Sequence, residues 1–476
     1  MDDLLNILKE VGQAAVGLFT FPYFYIAIAL VWWHTRHTVT LQRRLYHVRL
    51  YGAMRLTLTR TASGLAVGIV LSVVGLGAGA VLNGETLMFV WIAMAVLALF
   101  RFRYVCLAYA AGALGLLQSG VEWAGIEAAQ GSAVAEALRM LLAIDVPALL
   151  FIAGVLHIAE GFLVRLQRGT IAIPLFLQGK RGKPMGAYAI AGVWPIPLLW
   201  LVPSSSGGFT LPWAPLFGGD AAAWSFLAFP VLIGFSDRTA TNWPERKAGM
   251  SGNLLMLYGV IIALLAVCAV YWSPLVAIAS AAAFLLHEGL LWISRIGEAG
   301  KDPLYSQDGT GVKVLAVLPG TPAAELGLQA GEVIKKVNGA VVRNKMDLHA
   351  ALQLQSAYCK LEVVNREGHV KFLQRARYEG EHYQLGLIPA PDDDIEFVAS
   401  PRSASIWQGL REAGARRLRN SPTMRQQEAR REAELAAAEQ AAASQAAAEA
   451  LAEAERKKAE EEVGLPPRAA HVRMKS

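Results

Sequence analysis

The sequence predicts a bundle of membrane-spanning helices, followed by a small α+β domain and a charged tail. The 476-residue chain is 54% hydrophobic and only 17% charged, which is too apolar for a soluble protein of this length. The long apolar segments all lie before Ile293, and shorter strand and helix patterns follow them. We therefore expect an N-terminal segment at 1–13, a membrane domain at 14–295, a folded domain at 302–391 and a linker with a tail at 392–476.

The membrane domain is expected to be an all-α bundle of about eight or nine transmembrane helices, because a helix of about 20 apolar residues spans a bilayer. Its apolar segments are residues 14–33, 62–82, 86–100, 104–117, 141–164, 186–202, 221–235, 253–272 and 274–293. The shortest of these fall below the usual length, so eight crossings with one re-entrant segment remain an alternative. We expect this domain to share no core with residues 302–391.

The arginine distribution predicts the orientation of the chain. Six arginines and no acidic residue lie between residues 34 and 61, and basic loops next to membrane helices face the cytoplasm. The N-terminus is then outside, and the folded domain and the tail are cytoplasmic. The net charge of +6 suits anionic lipid. No basic and aromatic motif indicates nucleic acid as a partner.

The most informative stretch runs from Gly309 to Gly339. Residues 312 to 318 alternate in the manner of a strand with one packed face. Thr321 and Pro322 are typical of the start of a short helix, as N-cap and first helical position. Asn338-Gly339 is a strong hairpin signal. These elements predict a compact domain with both strands and helices.

The stretch from Pro319 to Gly339 resembles a circularly permuted bacterial PDZ domain almost position by position. The resemblance implies a groove that adds a peptide as a strand and holds its carboxylate in backbone N–H groups. The loop 309–312 would hold the carboxylate, and strand 312–317 and a helix near 347–355 would form the walls. The expected groove residues are Gly309, Thr310, Gly311, Val312, Val314, Leu348 and Leu352. The alternative is a PDZ fold that serves only as a spacer.

Ionisable side chains inside apolar segments are candidates for function because burying them is costly. They are Asp145, His157, Glu160, His287 and Glu288. His157 and Glu160 are three residues apart and share a helical face. A structural role at the membrane interface is favoured over a proton or substrate path.

His287-Glu288 begins the zinc-protease pattern H-E-x-x-H, but Leu291 stands where the second histidine is needed. The three cysteines have no metal-binding spacing. We therefore expect no catalytic residues, no metal and no cofactor. The tail, rich in Ala and Glu with few large apolar residues, is expected to be a solvated helix or disordered.

A polytopic membrane domain followed by one cytoplasmic PDZ domain resembles the MinJ family of bacterial division-site determinants. The span ends at His157-Ile158-Ala159-Glu160 and Leu286-His287-Glu288 share in this resemblance. It implies a non-enzymatic adaptor at septum and poles that links a DivIVA-like scaffold to a MinD-like ATPase, which carries the inhibitor MinC. Self-association is left open. The alternatives are a degenerate site-2-type intramembrane metalloprotease and a transporter with a regulatory PDZ domain.

Overall fold

The computed structural model describes residues 2–20, 22–46, 50–127, 131–179, 182–204, 208–217, 223–355, 357–378 and 385–392, with three isolated tail positions. The expected tail conformation therefore lies outside the described residues, as does part of the linker.

The N-terminal region comprises ten α-helices and three strands among its described residues. They are α1 (Asp2–Thr20), α2 (Pro22–Tyr46), α3 (Ala53–Ala78), α4 (Gly84–Phe100), α5 (Leu107–Ala124), α6 (Ala133–Leu142), α7 (Val146–Leu166), α8 (Arg168–Ile171), β1 (Ala172–Gln178), β2 (Pro184–Pro203), β3 (Trp224–Thr239), α9 (Pro244–Tyr271) and α10 (Leu275–Glu298).

Several of these helices are long and apolar enough to cross a membrane. Among the described residues, α3, α7, α9 and α10 meet this condition. The number rises to five if α1 and α2, bent by 55° at their break, form one span. Helix α4 is apolar but has only 17 residues. The expected eight or nine helical crossings are therefore not confirmed.

Two of the expected spans, 186–202 and 221–235, are strands, so the all-α prediction is wrong for them. They form β2 and β3, an antiparallel pair that runs from Tyr188 opposite Thr239 to Pro203 opposite Trp224. Strand β1 pairs with the first part of β2. The physical reason lies in the prolines within β2, which lack the N–H group that a helix interior needs but are tolerated at a strand edge.

Helix α3 covers the edge of β2 that β1 leaves unpaired. Pro195 and Pro197 have no N–H to satisfy on this strand. The N–H of Leu199 donates to Oγ of Ser72 at 2.9 Å. A Cβ atom on Gly68 would lie 2.3 Å from the carbonyl oxygen of Pro197, so only glycine allows this approach. Helix α3 thus covers this strand edge and accepts the N–H of Leu199.

Helices α7 and α9 pack through reciprocal pairs of glycines. A Cβ on Gly154 would lie 2.7 Å from the carbonyl oxygen of Gly259, and one on Gly259 would lie 2.5 Å from that of Gly154. Gly161 and Gly252 repeat the contact two turns further along, at 2.5 and 2.7 Å. Small residues at such spacing bring two helix backbones together. The close contact fixes α7, the helix that carries two of the candidate site residues.

The C-terminal domain agrees with the predicted element pattern. Its described elements are β4 (Val312–Val317), α11 (Pro322–Glu325), β5 (Val333–Val337), β6 (Ala340–Val341), α12 (Lys345–Leu354), β7 (Tyr358–Val364), β8 (Val370–Ala376) and β9 (Leu387–Pro389). The sheet order over these residues is β8-β7-β5-β4-β9, with β6 beside β5. Asn338 and Gly339 have φ of 51° and 88°, as the hairpin signal predicted.

The N-terminal region and the C-terminal domain share a buried cluster, so the expectation of separate cores is wrong. Leu175 and Phe176 of β1 belong to the same cluster as Leu315 of β4 and Ile388 of β9. The hydroxyl of Tyr188 on β2 donates a hydrogen bond to the carbonyl oxygen of Leu315. The reason is that the segment between the expected spans 141–164 and 186–202 contains strand β1, whose apolar side chains need a partner.

Candidate functional site

The expected carboxylate loop at 309–312 is already occupied by contacts within the chain. The Asp308 carboxylate accepts the N–H of Thr310 at 2.9 Å and its hydroxyl at 2.7 Å. Nζ of Lys335 donates to the carbonyl oxygen of Thr310 at 2.7 Å. A Cβ on Gly311 would lie 2.7 Å from the carbonyl oxygen of Ile334 on β5. The loop therefore lies against β5, where a peptide carboxylate would compete with Asp308.

The charge on Asp308 also disfavours a peptide carboxylate at the loop 309–312. Partial burial acts to raise the pKa of Asp308, but the hydrogen bonds from Thr310 outweigh it and lower the pKa below its usual value. The carboxylate is therefore charged at neutral pH, and it would repel a second carboxylate.

Strand β4 is an inner strand, so it offers no edge to a peptide. Val312 pairs with Ile334 on β5, and Val314 pairs with Pro389 on β9. The other predicted groove residues, Leu348 and Leu352 on α12, are buried in the core of the domain at 2% and 1% exposure. They pack α12 against the core of the domain.

The described sheet ends at β9, beside α12. Leu385 and Gly386, with φ of 57° and 79°, turn the chain into β9. The backbone N–H of Lys345 at the start of α12 donates to Asp392 Oδ2 at 3.1 Å, just after β9. Thr321 packs so closely on this turn that a Cβ on Gly386 would lie 2.3 Å from its Cβ. The residue after β9 is thus linked to the start of α12, and Leu387 of β9 shares a core cluster with Leu348 and Leu352 of α12.

The structure brings together four of the five ionisable residues expected as an intramembrane polar cluster. Asp145 is separate, since it is the N-cap of α7 and accepts the N–H of Ala148 at 2.9 Å. The rings of His157 on α7 and His287 on α10 have centroids 5.2 Å apart. Oε2 of Glu160 lies 4.0 Å from Nε2 of His157.

Glu288 is the member of this cluster with the most hydrogen bonds among the described residues. Nη2 of Arg103 donates to its two carboxylate oxygens at 2.9 and 2.7 Å. The hydroxyl of Tyr109 on α5 donates to Oε1 at 2.8 Å. Such charge-assisted bonds neutralise a carboxylate that would otherwise be costly to enclose. Glu288 therefore anchors α10 to α5 and the turn before it.

Hydrogen bonds also set the orientation of the two histidines. Nδ1 of His157 lies 2.7 Å from the carbonyl oxygen of Ala153, and its Nε2 lies 3.3 Å from Sγ of Cys106. Nδ1 of His287 lies 2.9 Å from the hydroxyl of Tyr109. Both rings are thus held through Nδ1.

Sequence reasoning did not identify Cys106, Arg103 or Tyr109 as part of this cluster. Cys106 is 51 positions from His157, and Arg103 is 185 positions from Glu288. No local spacing links residues so far apart. In the sequence, arginines next to apolar segments indicate the orientation of the chain. In the structure, Arg103 is also the ion-pair partner of Glu288 on another helix.

A second polar cluster lies where β3, α9 and α10 meet. Lys247 is 1% exposed, and its Nζ donates to Oγ of Ser294 at 2.9 Å. Asp237 Oδ2 and Glu298 Oε1 each lie 3.6 Å from Nζ. Next to it, the N–H of Leu304 donates to the carbonyl oxygen of Ala240 at 2.8 Å. This cluster holds the connection between the N-terminal region and the C-terminal domain.

Comparison with known proteins identifies one domain of the chain and the family to which the chain belongs. A family model described as a PDZ domain matches residues 313–365. The chain is 32% identical over 404 residues to the cell division topological determinant MinJ of Bacillus subtilis (strain 168), covering 83% of this chain and 98% of that protein. A probable cell division topological determinant MinJ of Lacticaseibacillus paracasei is 26% identical over 253 residues, covering 52% of this chain and 66% of the relative. The chain therefore belongs to the MinJ family of cell division topological determinants.

Proposed function

We propose that this protein is a membrane-anchored adaptor whose PDZ domain recruits partner proteins for division-site selection. In this role it links a DivIVA-like scaffold to the MinD-like ATPase of the MinCD inhibitor, and it has no enzymatic activity. The apolar helices, the PDZ domain and the family to which the chain belongs support the proposal.

The observation that carries the proposal is the position of β9 at the end of the described sheet, next to α12. An extended peptide can add its backbone hydrogen bonds to such a strand edge, while a neighbouring helix selects its side chains. Lys345 and His349 are four residues apart and share one face of α12. The backbone N–H of Lys345 bonds to Asp392, just after β9, which brings the start of α12 close to this edge, and we take the face with Lys345 and His349 as the second wall.

The peptide terminus would lie at the turn before β9. Leu385 and Gly386 both have positive φ, and successive residues of this kind orient backbone N–H groups toward an anion. This arrangement favours a C-terminal carboxylate, or an acidic side chain in the same position, as the group that the partner presents.

The proposed topology is a multi-pass protein with its N-terminus outside and the PDZ domain and tail in the cytoplasm, enriched at septum and poles. The PDZ domain packs on Leu45 of α2, on β1 and on Trp243 before α9. These are the segments whose basic neighbours predict a cytoplasmic position, which supports the orientation. The same basic loops would contact anionic lipid.

Co-purification from the native host tests the proposed groove. The full-length chain is compared with a chain that lacks residues 302–392 and with the single variants Lys345→Glu and His349→Glu. We expect the deletion to lose the division proteins, and the two variants to weaken binding about ten- to a hundredfold, since one lost charged hydrogen bond costs roughly 1.5–3 kcal/mol.

Lys360→Glu is the charge-matched control, because Lys360 lies on β7, away from α12. It should retain all partners, and membrane abundance should be equal in all single variants. Unchanged recovery in both α12 variants, with loss only in the deletion, would favour another surface of the domain. Unchanged recovery in the deletion would mean that the PDZ fold is only a spacer.

A further inference from the structure

We propose that Cys106, His157 and His287 together bind a zinc ion inside the helical region. One ligand atom from each of these residues lies within 4.8 Å of the other two. The residues come from the start of α5, the middle of α7 and the middle of α10. The site is independent of the PDZ groove and of the function proposed for it.

The spacing of the ligand atoms suits this ion. Tetrahedral zinc with bonds of about 2.3 Å to sulfur and about 2.0–2.1 Å to nitrogen places its ligand atoms about 3.4–3.6 Å apart. Sγ of Cys106 and Nε2 of His157 are 3.3 Å apart. Small rotations of the side chains would bring the third ligand to the same spacing. One thiolate and two imidazoles form a ligand set that zinc accepts.

The hydrogen bonds leave the correct nitrogen available on each ring. His157 donates from Nδ1 to the carbonyl oxygen of Ala153, because a carbonyl oxygen can only accept. Tyr109 gives its only proton to Glu288, so its oxygen accepts from Nδ1 of His287. Both rings then have Nε2 as the unprotonated atom. Partners of this kind on the second nitrogen are typical of histidines that bind metal.

The balance of charges at the site also favours a bound zinc ion. His157 is 3% exposed and Glu160 is 9% exposed, so both lie in an apolar interior. A zinc ion bound by the Cys106 thiolate, with the Glu160 carboxylate 4.0 Å from Nε2 of His157, forms a group with no net charge. Neutral groups cost far less to bury than isolated charges. Glu160 therefore lies near the site and balances the charge of the ion, outside the set of three ligands.

The role of the ion would be to tie three helices together. The glutamate that follows His287 is held by Arg103 and Tyr109, so it is not free to act as the general base of a zinc protease. The sequence expectation of no metal rested on Leu291, which replaces the second histidine of H-E-x-x-H, and on the lack of metal-binding spacing among the cysteines. Here the ligands come from three helices, which local spacing does not predict.

Metal content and cobalt spectra of the full-length protein in detergent test the site. Protein purified without chelator should contain one zinc ion per chain by elemental analysis. After zinc is removed, Co²⁺ should restore one ion per chain, with the absorption of tetrahedral cobalt and a thiolate-to-cobalt charge-transfer band. These two measurements need no substitution and do not depend on activity.

Variants assign the ligands. Cys106→Ser should abolish the charge-transfer band, and His157→Gln and His287→Gln should abolish stoichiometric binding. Tyr109→Phe removes only the partner of His287 and should weaken Co²⁺ binding about 10–100-fold. Cys268→Ser is the matched control, since Cys268 is an exposed cysteine on α9, and it should bind Co²⁺ as the native chain does.

Two results would overturn the proposal. One is a native protein that carries no stoichiometric metal as purified and shows no thiolate-to-cobalt band after Co²⁺ is added. The other is a band that persists in Cys106→Ser and disappears in Cys268→Ser. In either case the cluster is a hydrogen-bonded network between helices.

Discussion

The guanidinium carbon of Arg366, on the PDZ domain, lies 4.3 Å from the ring centroid of Trp243, at the start of α9. The same ring contacts Gly331 so closely that a Cβ there would lie 2.1 Å from it. Tyr305 meets the ring edge-on, with centroids 5.9 Å apart. Trp243 is therefore the main aromatic contact through which the PDZ domain rests on the N-terminal region.

We predict that Arg366→Ala loosens this docking. A cation–π contact at an exposed site contributes about 0.5–1 kcal/mol, so the undocked population should rise about two- to fivefold. Hydrogen exchange at Gly186 is the measurement, because its N–H donates to the carbonyl oxygen of Tyr305 at 2.8 Å across the interface. Arg343→Ala, elsewhere on the PDZ domain, is the control. Equal exchange in the two variants would argue against a contribution from this contact.

The contact between α3 and β2 predicts a strong effect at Gly68. A Cβ at this position would lie 2.3 Å from the backbone oxygen of Pro197, which has no freedom to move aside. Gly68→Ala should therefore destabilise the protein by about 1–3 kcal/mol, as overpacking does. The measurement is thermal unfolding of the full chain in detergent.

Gly77 provides the matched control in the same helix, because nothing lies within 4 Å of a Cβ added there. Gly77→Ala should leave stability unchanged or raise it slightly, by up to about 1 kcal/mol, through better helix propensity. Similar losses in both variants would contradict the packing of α3 against β2.

The buried thiol of Cys359 predicts a pH dependence on the alkaline side. Burial raises its pKa to about 11, and nearby Arg377 and Arg375 oppose the effect. The fold favours the protonated thiol, so this part of the stability is fully present below the pKa of an unfolded thiol, about 8.5, and is lost as the pH rises through about 11.

Alkylation of Cys359 measures this directly. At pH 8 iodoacetamide should modify it slowly in the native chain and rapidly in denaturant, since only the thiolate reacts. Cys359→Ala should remove the alkaline loss of stability that depends on the thiol. Rapid alkylation of Cys359 itself in the native chain at pH 8, located by peptide mapping, would show that this thiol is not buried in the PDZ core.

Short sequence motifs were sufficient to predict those elements whose structure depends only on neighbouring residues. Thr321 and Pro322 predicted the start of α11, and Asn338-Gly339 predicted the turn between β5 and β6, because capping and left-handed turns depend on a few adjacent residues. The same stretch indicated a PDZ domain, which the family match at 313–365 confirms. The overall apolar composition likewise predicted helices suited to a membrane.

Tertiary structure decided which apolar segments are helices and which are strands, and which distant side chains meet, because apolar composition determines neither. A run of apolar residues fits a buried strand as well as a helix, and β2 is a strand because β3 and α3 supply its edge partners and its prolines need none. Pairing with β9 makes β4 an inner strand, which moves the candidate groove from Val312 to β9. The meeting of Cys106, His157 and His287 depends on how three helices pack, since no spacing along the chain encodes a contact between distant residues.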